Sequence, residues 1–513
     1  MSVFFSQLRK VAPSGRRWLY VPYDQLSDAI GPLSREPAKE LGIVLVESPH
    51  KAARRPYHKQ KLLTVLASQR HFALEQQARG VAVRYVVHDG SYADALASVA
   101  SETGRMRMMR PAERELREEL AGLPFLEEIA HEGWLSTRDD FLSSQPRTPW
   151  RMDRFYRAMR TKTGILMHEG KPLGQRWSLD ADNRKPWRGT PLPPVRPLYH
   201  DDPVKDEVAA LIASRYATHP GELHAEQLPA RVQDVRHYWA WVQTHCLPLF
   251  GPFEDAMSTR APHLFHTLVS PLVNLHRLLP RTLVDTAAAL PLPLSSQEGF
   301  VRQVLGWREY VRHVHEETDG LRRHPDGRAL RAREGEALPP AYWGTPSGLH
   351  CLDTVVADVW RDGYSHHITR LMVLSNIAQL IDASPQELSD WFWIAYADAY
   401  DWVVETNVLG MGTFAFGDLL TTKPYVSGAA YIHRMSDYCA GCAFDPRKNC
   451  PLTAMYWAYL ARNEETLAPF ERVVPALFGM RKRSAAQRAE DKRVFTRVKS
   501  TLARGERVTP EDS

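Results

Sequence analysis

Long apolar runs, cysteine and strong charge of either sign are all scarce in this 513-residue chain. No stretch of 18 consecutive apolar residues occurs, so no membrane-spanning helix is expected. The opening residues MSVFFSQLRKVAPSGRRW lack the long apolar core and cleavage site of a secretory leader, and a cytoplasmic protein is expected. Five cysteines are sparse and odd in number, which argues against a disulfide framework. A net charge of +5 is mildly basic and does not by itself mean a nucleic-acid partner. There is no internal repeat and no low-complexity segment. No Gly-x-Gly-x-x-Gly loop follows the first apolar run, which argues against a dinucleotide site of the usual kind.

The cysteines that are present are ordered. Cys439, Cys442 and Cys450 fall within twelve residues, Pro451 follows the last, and Cys351 lies far upstream. A Cys-x-x-Cys pair brings two thiolates to one metal from a single turn, and a remote cysteine closes a four-thiolate site. The spacing leaves an iron–sulfur cluster and a structural zinc both open, with the Cys-Pro ending leaning to the cluster. Cys246, in Thr-His-Cys-Leu-Pro, is left over and reads as a buried, inert thiol.

Three apolar runs, at 17–21, 43–46 and 81–87, read as buried strands. A helix over 57–78 lies between the second and third. Strands alternating with helices predict a parallel sheet with helical crossovers, an α/β, Rossmann-like domain over residues 1–145. Residues 146–205 are rich in Pro, Arg and Trp and read as a wrapping linker with one helix. From 206 to 513 the pattern is helical. Phe300, Val304, Trp307, Val311 and Val314 repeat at four-three spacing, one face of a buried helix. Ser384-Pro-Gln-Glu387 reads as a capping box opening a helix that carries Trp391 through Trp402.

Chemistry-bearing residues concentrate in the helical half. Arg308 and Glu309 flank Trp307 and could rim a cofactor or substrate. His366 and His367 are adjacent, which on a helix turns their side chains about 100° apart; acid/base work suits them because histidine titrates near neutral pH. Asp398 and Asp401 lie in aromatic surroundings, where a carboxylate is costly unless paired. Arg370 is a plausible partner, and an Arg–Asp pair beside a planar cofactor tunes its redox state. Trp391, Trp393 and Trp402 with Phe392, Tyr396 and Tyr400 read either as an aromatic core or as stacking around a flat cofactor.

Taken together, the order of domains, the Trp307-Arg308-Glu309-Tyr310 text, the Ser365-His366-His367 segment, the Asp401-x5-Asn407 spacing and the cysteine pattern resemble the photolyase/cryptochrome flavoproteins. More narrowly they are similar to the bacterial iron–sulfur branch, whose characterised repair members are (6–4) photolyases. Further matching text is Phe253-Glu-Asp-Ala-Met257, 180–186 (DADNRKP), Thr422-Lys-Pro-Tyr425 and Arg434-Met-Ser-Asp-Tyr-Cys439.

The resemblance implies a large all-α FAD-binding domain. It implies that His266, Thr267 and Ser270 hold the FAD diphosphate and that Arg308 lies near the flavin. Arg370 and Asp401 would form an ion pair beside the ring, and Asn407 would face it. Cys351, Cys439, Cys442 and Cys450 would ligate a 4Fe-4S cluster. Trp391 and Trp343 would relay electrons; Phe392 stands where some relatives have tyrosine. His366, His367 and Tyr425 would serve the lesion, with His367 managing its proton. A lumazine antenna would sit against Asp24 and Gln25, although Tyr23 stands where relatives tend to have glycine and Lys51 where an acidic residue is expected. Asp418 also departs from the glycine-rich text expected there. The implied activity is light-driven repair of (6–4) lesions in UV-damaged DNA by a monomer. A cryptochrome sensor with the same cofactors and a flavin-free, zinc-braced protein are the competing readings.

Overall fold

The computed structural model describes residues 2–9 and 15–510. Met1 and residues 10–14, part of the N-terminal stretch read above as no leader, lie outside the described residues. The first 130 residues build a five-stranded sheet: β1 Arg17–Tyr20, β2 Leu41–Glu47, β3 Ala82–Val87, β4 Met106–Met109 and β5 Leu126–Ile129. All neighbours are parallel, in the order β3-β2-β1-β4-β5. The three expected strands are β1 to β3; the shorter β4 and β5 had no sequence signal.

Side-chain alternation sorts β2 onto two cores. Leu41, Ile43 and Leu45 join Leu19, Phe72 and Val83 on one face. Val44 and Val46 join Trp18 and Tyr20 on the other. Gly42 is bare because a Cβ there would come within 2.6 Å of the Trp18 ring. The chain winds outward from β1 to β3 and then crosses to β4, so strand order reverses beside β1. The crevice beyond the strand ends at such a point is where α/β sheets hold ligands.

The crossover helix Lys59–Ala78 starts later than expected, because His58 caps it by accepting from Gln60 N at 3.0 Å. Its first turn is bolted into the helical half. His58 N donates to Ile394 O at 2.9 Å, and Lys61 Nζ donates to Trp393 O and Ala399 O at 3.0 and 2.5 Å. Leu62, Leu63 and Leu66 pack into the core that contains Trp391 and Val373.

The linker region carries the helix Met152–Thr163, a small hairpin Met167–His168 with Lys171–Pro172, and then an extended run. Helices dominate from Pro203. The expected apolar face at 300–314 is buried, Trp307 only partly, on a helix that is π-wound over Arg302–Arg308.

The capping box at 384–387 forms by half. Ser384 Oγ accepts from Glu387 N, but the Glu387 carboxylate accepts instead from Leu338 N at 2.7 Å. That helix stops at Ala395 and does not reach Trp402, because Tyr396 is extended and a second helix begins at Asp401. Among the described residues no helix is long and apolar enough to cross a membrane.

Candidate functional site

Three imidazoles converge where the 263–269 loop meets the start of the His367 helix. His266 and His366 are buried and stack with centroids 4.3 Å apart and planes 7° apart. One nitrogen from each of His266, His366 and His367 lies within 4.8 Å of the others. His367 is half exposed, and its Nε2 lies 3.5 Å from Asp255 Oδ1. Burial pushes His266 and His366 far below the ordinary histidine range, with neighbouring His charges adding to it. Burial also opposes a proton on His367, but the Asp255 hydrogen bond and the Glu254 and Asp255 charges outweigh it, so His367 is raised. The surroundings thus favour a proton on His367 and disfavour one on the two stacked rings.

Asp255, to which sequence reasoning gave no role, is the hub. It accepts from Tyr431 Oη at 3.0 Å and stands 3.8 Å from Arg184. Tyr425 is half-buried and shares this rim electrostatically with Asp180 and Arg184. No direct bond joins Tyr425 to either histidine among the described residues.

The ion pair expected between Arg370 and Asp401 is not formed. Arg370 makes a two-pronged pair with Asp398, at 3.0 and 2.9 Å, and lies 4.0 Å over the Tyr396 ring. Asp398 also accepts from Ser270 Oγ at 2.6 Å, and its carbonyl accepts from Asn274 Nδ2 at 2.8 Å. Asp401 turns the other way. It caps the helix Arg114–Leu120 by accepting from Arg114 N at 2.6 Å and Glu115 N at 3.3 Å. The free N–H groups of a helix start are a better partner for a buried carboxylate than a guanidinium already claimed by Asp398. Burial raises Asp401 to about 6.

Thr267 is buried, and its carbonyl accepts from Tyr238. Arg308 donates to Val273 O of the short helix Ser270–Asn274, but its flat faces meet Trp134 at 4.1 Å and Trp402 at 5.4 Å. Asn407 Nδ2 donates to Val403 O within its own helix. Arg308, Arg370 and Asn407 each sit in a π-wound segment: Arg302–Arg308, Arg370–Ser375 and Glu405–Gly412. Such segments concentrate at functional sites.

Trp343 and Trp391 are joined by a residue that sequence reasoning missed. Trp360 stacks on the exposed Trp343 at 5.5 Å and meets Trp391 edge-on at 5.9 Å. Trp360 and Trp391 both donate their indole N–H to Tyr342 O. Trp391 continues to Tyr396 at 6.0 Å, under Arg370. Trp402 belongs to the other core, with Trp134, so the expected aromatic cluster is split.

Cys351, Cys439, Cys442 and Cys450 line one small cavity with Leu349, Ala429, Ile432, Tyr438, Phe444 and Leu452. Cys351 lies in the first turn of helix His350–Asp362, and Cys450 caps helix Pro451–Arg462. Two helix N-termini therefore face the thiols and favour negative charge there.

A model of the deoxyribodipyrimidine photo-lyase-related protein family matches residues 19–228. The chain is 34% identical over 474 residues to a (6-4) photolyase of Agrobacterium fabrum, covering 88% of this chain and 92% of that relative. The chain belongs to the photolyase family. A crystal structure of a bacterial class III photolyase from Agrobacterium tumefaciens shares the fold, with a TM-score of 0.54 at 14% identity over 95% of this chain and 98% of that one.

Photolyase membership implies FAD. The residues fit a bound polar molecule: His266 Nε2 and both ring nitrogens of His366 are buried with no hydrogen-bond partner among the described residues. The four thiols share one cavity, a donor set that fits a thiolate-bound metal centre. Burial first, then the Cys442 sulfur and the Asp445 carboxylate, pushes the Cys439 thiol to about 11. Cys246, buried elsewhere and raised to about 12, fits the inert reading.

The residues expected for an antenna, Asp24 and Gln25, lie beside a cavity without lining it. A cavity of about 60 Å³ lies at the strand ends, lined among others by Tyr23, Lys51, Lys61, Glu113, Trp393 and Tyr400. Neither Asp24 nor Gln25 lines it. Gln25 Nε2 is spent on Met109 O and Arg110 O, and Asp24 is buried with Oδ1 unpartnered. The ring of Tyr23 stands in their place, its hydroxyl bonded to Glu113, which Lys51 neutralises at 3.0 Å. The residues expected to hold a lumazine do not line this cavity. Asp418, unexplained by sequence, pairs with Arg151 at 3.2 Å.

Proposed function

We propose that this photolyase repairs (6–4) pyrimidine–pyrimidone lesions in UV-damaged DNA, using FAD held in the helical half. The observation that carries the reading is the geometry at the histidines: His367 Nε2 lies 3.5 Å from Asp255 Oδ1, which favours a proton there, and it stands beside a buried His366 whose environment disfavours one. Returning a hydroxyl between two bases needs a proton given at one atom and taken at another, and neighbouring groups with opposed proton affinities supply this. The name of the Agrobacterium fabrum relative supports the lesion type.

On this reading the chain divides into an α/β unit (1–145), a linker (146–205) and the FAD-binding helical unit (206–513). The chemistry that reduced FAD supplies when bound is light-driven donation of one electron. Arg370, fixed by Asp398 and Tyr396, would hold the flavin ring through its guanidinium, and Ser270 and Asn274 keep that ion pair in place. His367 carries protons on both ring nitrogens in its charged form. Nε2 faces Asp255, and Nδ1 has no partner among the described residues, so Nδ1–H is the proton available to a lesion. Neutral His366 has both ring nitrogens unpartnered and can accept. Tyr425, on the Asp180–Arg184 rim, borders the lesion entrance. Trp343, Trp360 and Trp391 form the inward path for electrons that return the flavin to its reduced state. Cys351, Cys439, Cys442 and Cys450 would hold a 4Fe-4S cluster, bracing the two helices whose N-termini carry them.

Blue light against dark on an oligonucleotide bearing one (6–4) lesion, with flavin-reduced protein, tests the reading. Light-dependent restoration of both bases is expected. No restoration by protein shown to hold reduced FAD would overturn repair and leave a cryptochrome sensor.

A further inference from the structure

Ten large hydrophobic side chains are exposed among the described residues, and the two most exposed, Val195 at 90% and Leu192 at 82%, lie three apart. Leu198, three further on, is 53% exposed. Between them Pro193, Pro194, Arg196 and Pro197 are half-buried. Exposure recurring every third residue in an extended, proline-rich run is the period of a polyproline helix, so the three apolar side chains form one outward stripe.

The stripe is not a loose loop. Before it, Trp187 is buried among Ala256, Leu264 and Phe265 and donates Nε1–H to Pro191 O at 2.7 Å. After it, Tyr199 is buried and donates N–H to Glu226 O at 2.6 Å. Prolines hold the segment between these anchors at low entropic cost. Single exposed apolar residues need no explanation, but an ordered contiguous stripe does.

Its surroundings say what covers it. The inner side of the segment bears on the histidine site, since the Arg196 charge acts on His263, His266 and Tyr364. The approach to it carries Lys185, Arg188 and Arg434, all exposed and none in an ion pair among the described residues. Arg188 donates only to the carbonyls of Ser436 and Arg434. An apolar stripe beside uncompensated cations matches nucleic acid, whose phosphates take the cations while unstacked bases take the apolar side chains.

We propose that Leu192, Val195 and Leu198 are a rigid wedge that packs against the bases left unstacked when the lesion is turned out of a duplex. The inference rests on the DNA-repair reading. It assigns to the linker a part in opening the duplex, distinct from the chemistry at the histidines. Flipping a nucleotide costs stacking, and an apolar wedge offsets that cost only where a duplex must be opened.

The test compares flavin-loaded, full-length protein with its Leu192→Ser/Val195→Ser/Leu198→Ser variant. Each is bound to (6–4)-containing oligonucleotides, duplex and single-stranded, with 2-aminopurine beside the lesion to report unstacking. The side chains are exposed, so folding and flavin content should not change. The expected result is about tenfold weaker duplex binding with less 2-aminopurine signal, unchanged single-strand binding and an unchanged salt slope. Leu192→Met/Leu198→Met should retain duplex binding, whereas Arg434→Gln should weaken both substrates and lower the salt slope by roughly one. Equal binding of duplex by variant and wild type overturns the wedge alone and points to a protein groove as the occupant. Equal loss on both substrates also overturns it. Wild-type protein that binds neither substrate overturns the wedge and the DNA reading together.

Discussion

Asp398 and Asp401 stand one helical turn apart in sequence and serve opposite halves of the molecule. Asp398 neutralises Arg370 beside the candidate flavin site, and Asp401 satisfies two backbone N–H groups of the sheet half. Asp398→Asn leaves a guanidinium buried without its counter-ion, and a loss of about 3 kcal/mol with release of flavin is expected, read by urea unfolding and by absorbance after gel filtration. Asp401→Ala removes a cap, costing about 1 kcal/mol with flavin content unchanged. The imidazoles give a second contrast. His367 holds its proton above the ordinary value of 6.5, so its contribution to repair is present at low pH and lost as pH rises through that raised value. The groups facing it are Asp255, Glu254, Arg302, His266 and His366. Asp255→Asn removes the main opposition to burial, so the alkaline limb of the repair profile should move to lower pH. His367→Ala should abolish repair with FAD retained.

Elements built on strong local patterns were legible in the sequence, and those fixed by distant partners were not. β2, with seven buried residues, was readable, whereas β5 is an edge strand of Leu-Glu-Glu-Ile with no alternation to detect. The helix at Pro385–Ala395 was foreseen, but not its end, because Lys61 and His58 take the carbonyls of 393–399 from across the molecule. The four cysteines could be grouped from spacing, since two of the gaps are local, and they line one cavity. Trp360 was invisible: a half-buried tryptophan on His350–Asp362 gains meaning only when Trp343 and Trp391 are seen on either side. Trp360→Phe should slow blue-light reduction of bound flavin at least several-fold while leaving repair by chemically reduced protein intact, as followed by flavin absorbance. On the proposed cluster reading, Cys439→Ser should lose iron and lower the melting temperature, because the centre would tie two helix starts together.

Across the whole molecule the sheet and the helical half share their cores. One core mixes Trp18, Tyr20 and Val44 of the sheet with Phe300, Tyr310 and Trp402, and the other runs from Leu62 and Leu66 to Trp391 and Leu452. Neither half can shed the other without exposing both. Calorimetry should therefore show one unfolding transition, and separately produced halves should not fold. Two well-separated transitions would contradict this reading of the shared cores.

The π-wound segments at 302–308, 370–375 and 405–412 each amount to one residue more than an α-helix needs for the same path. Each can be viewed as a retained single-residue insertion. Deleting one residue from such a segment restores ordinary winding and turns everything beyond it by about 100° relative to the residues before it. In these stretches, then, the reading frame of the helix has been offset where Arg308, Arg370 and Asn407 stand, and a shortened sequence would be a more regular protein with those three side chains turned elsewhere.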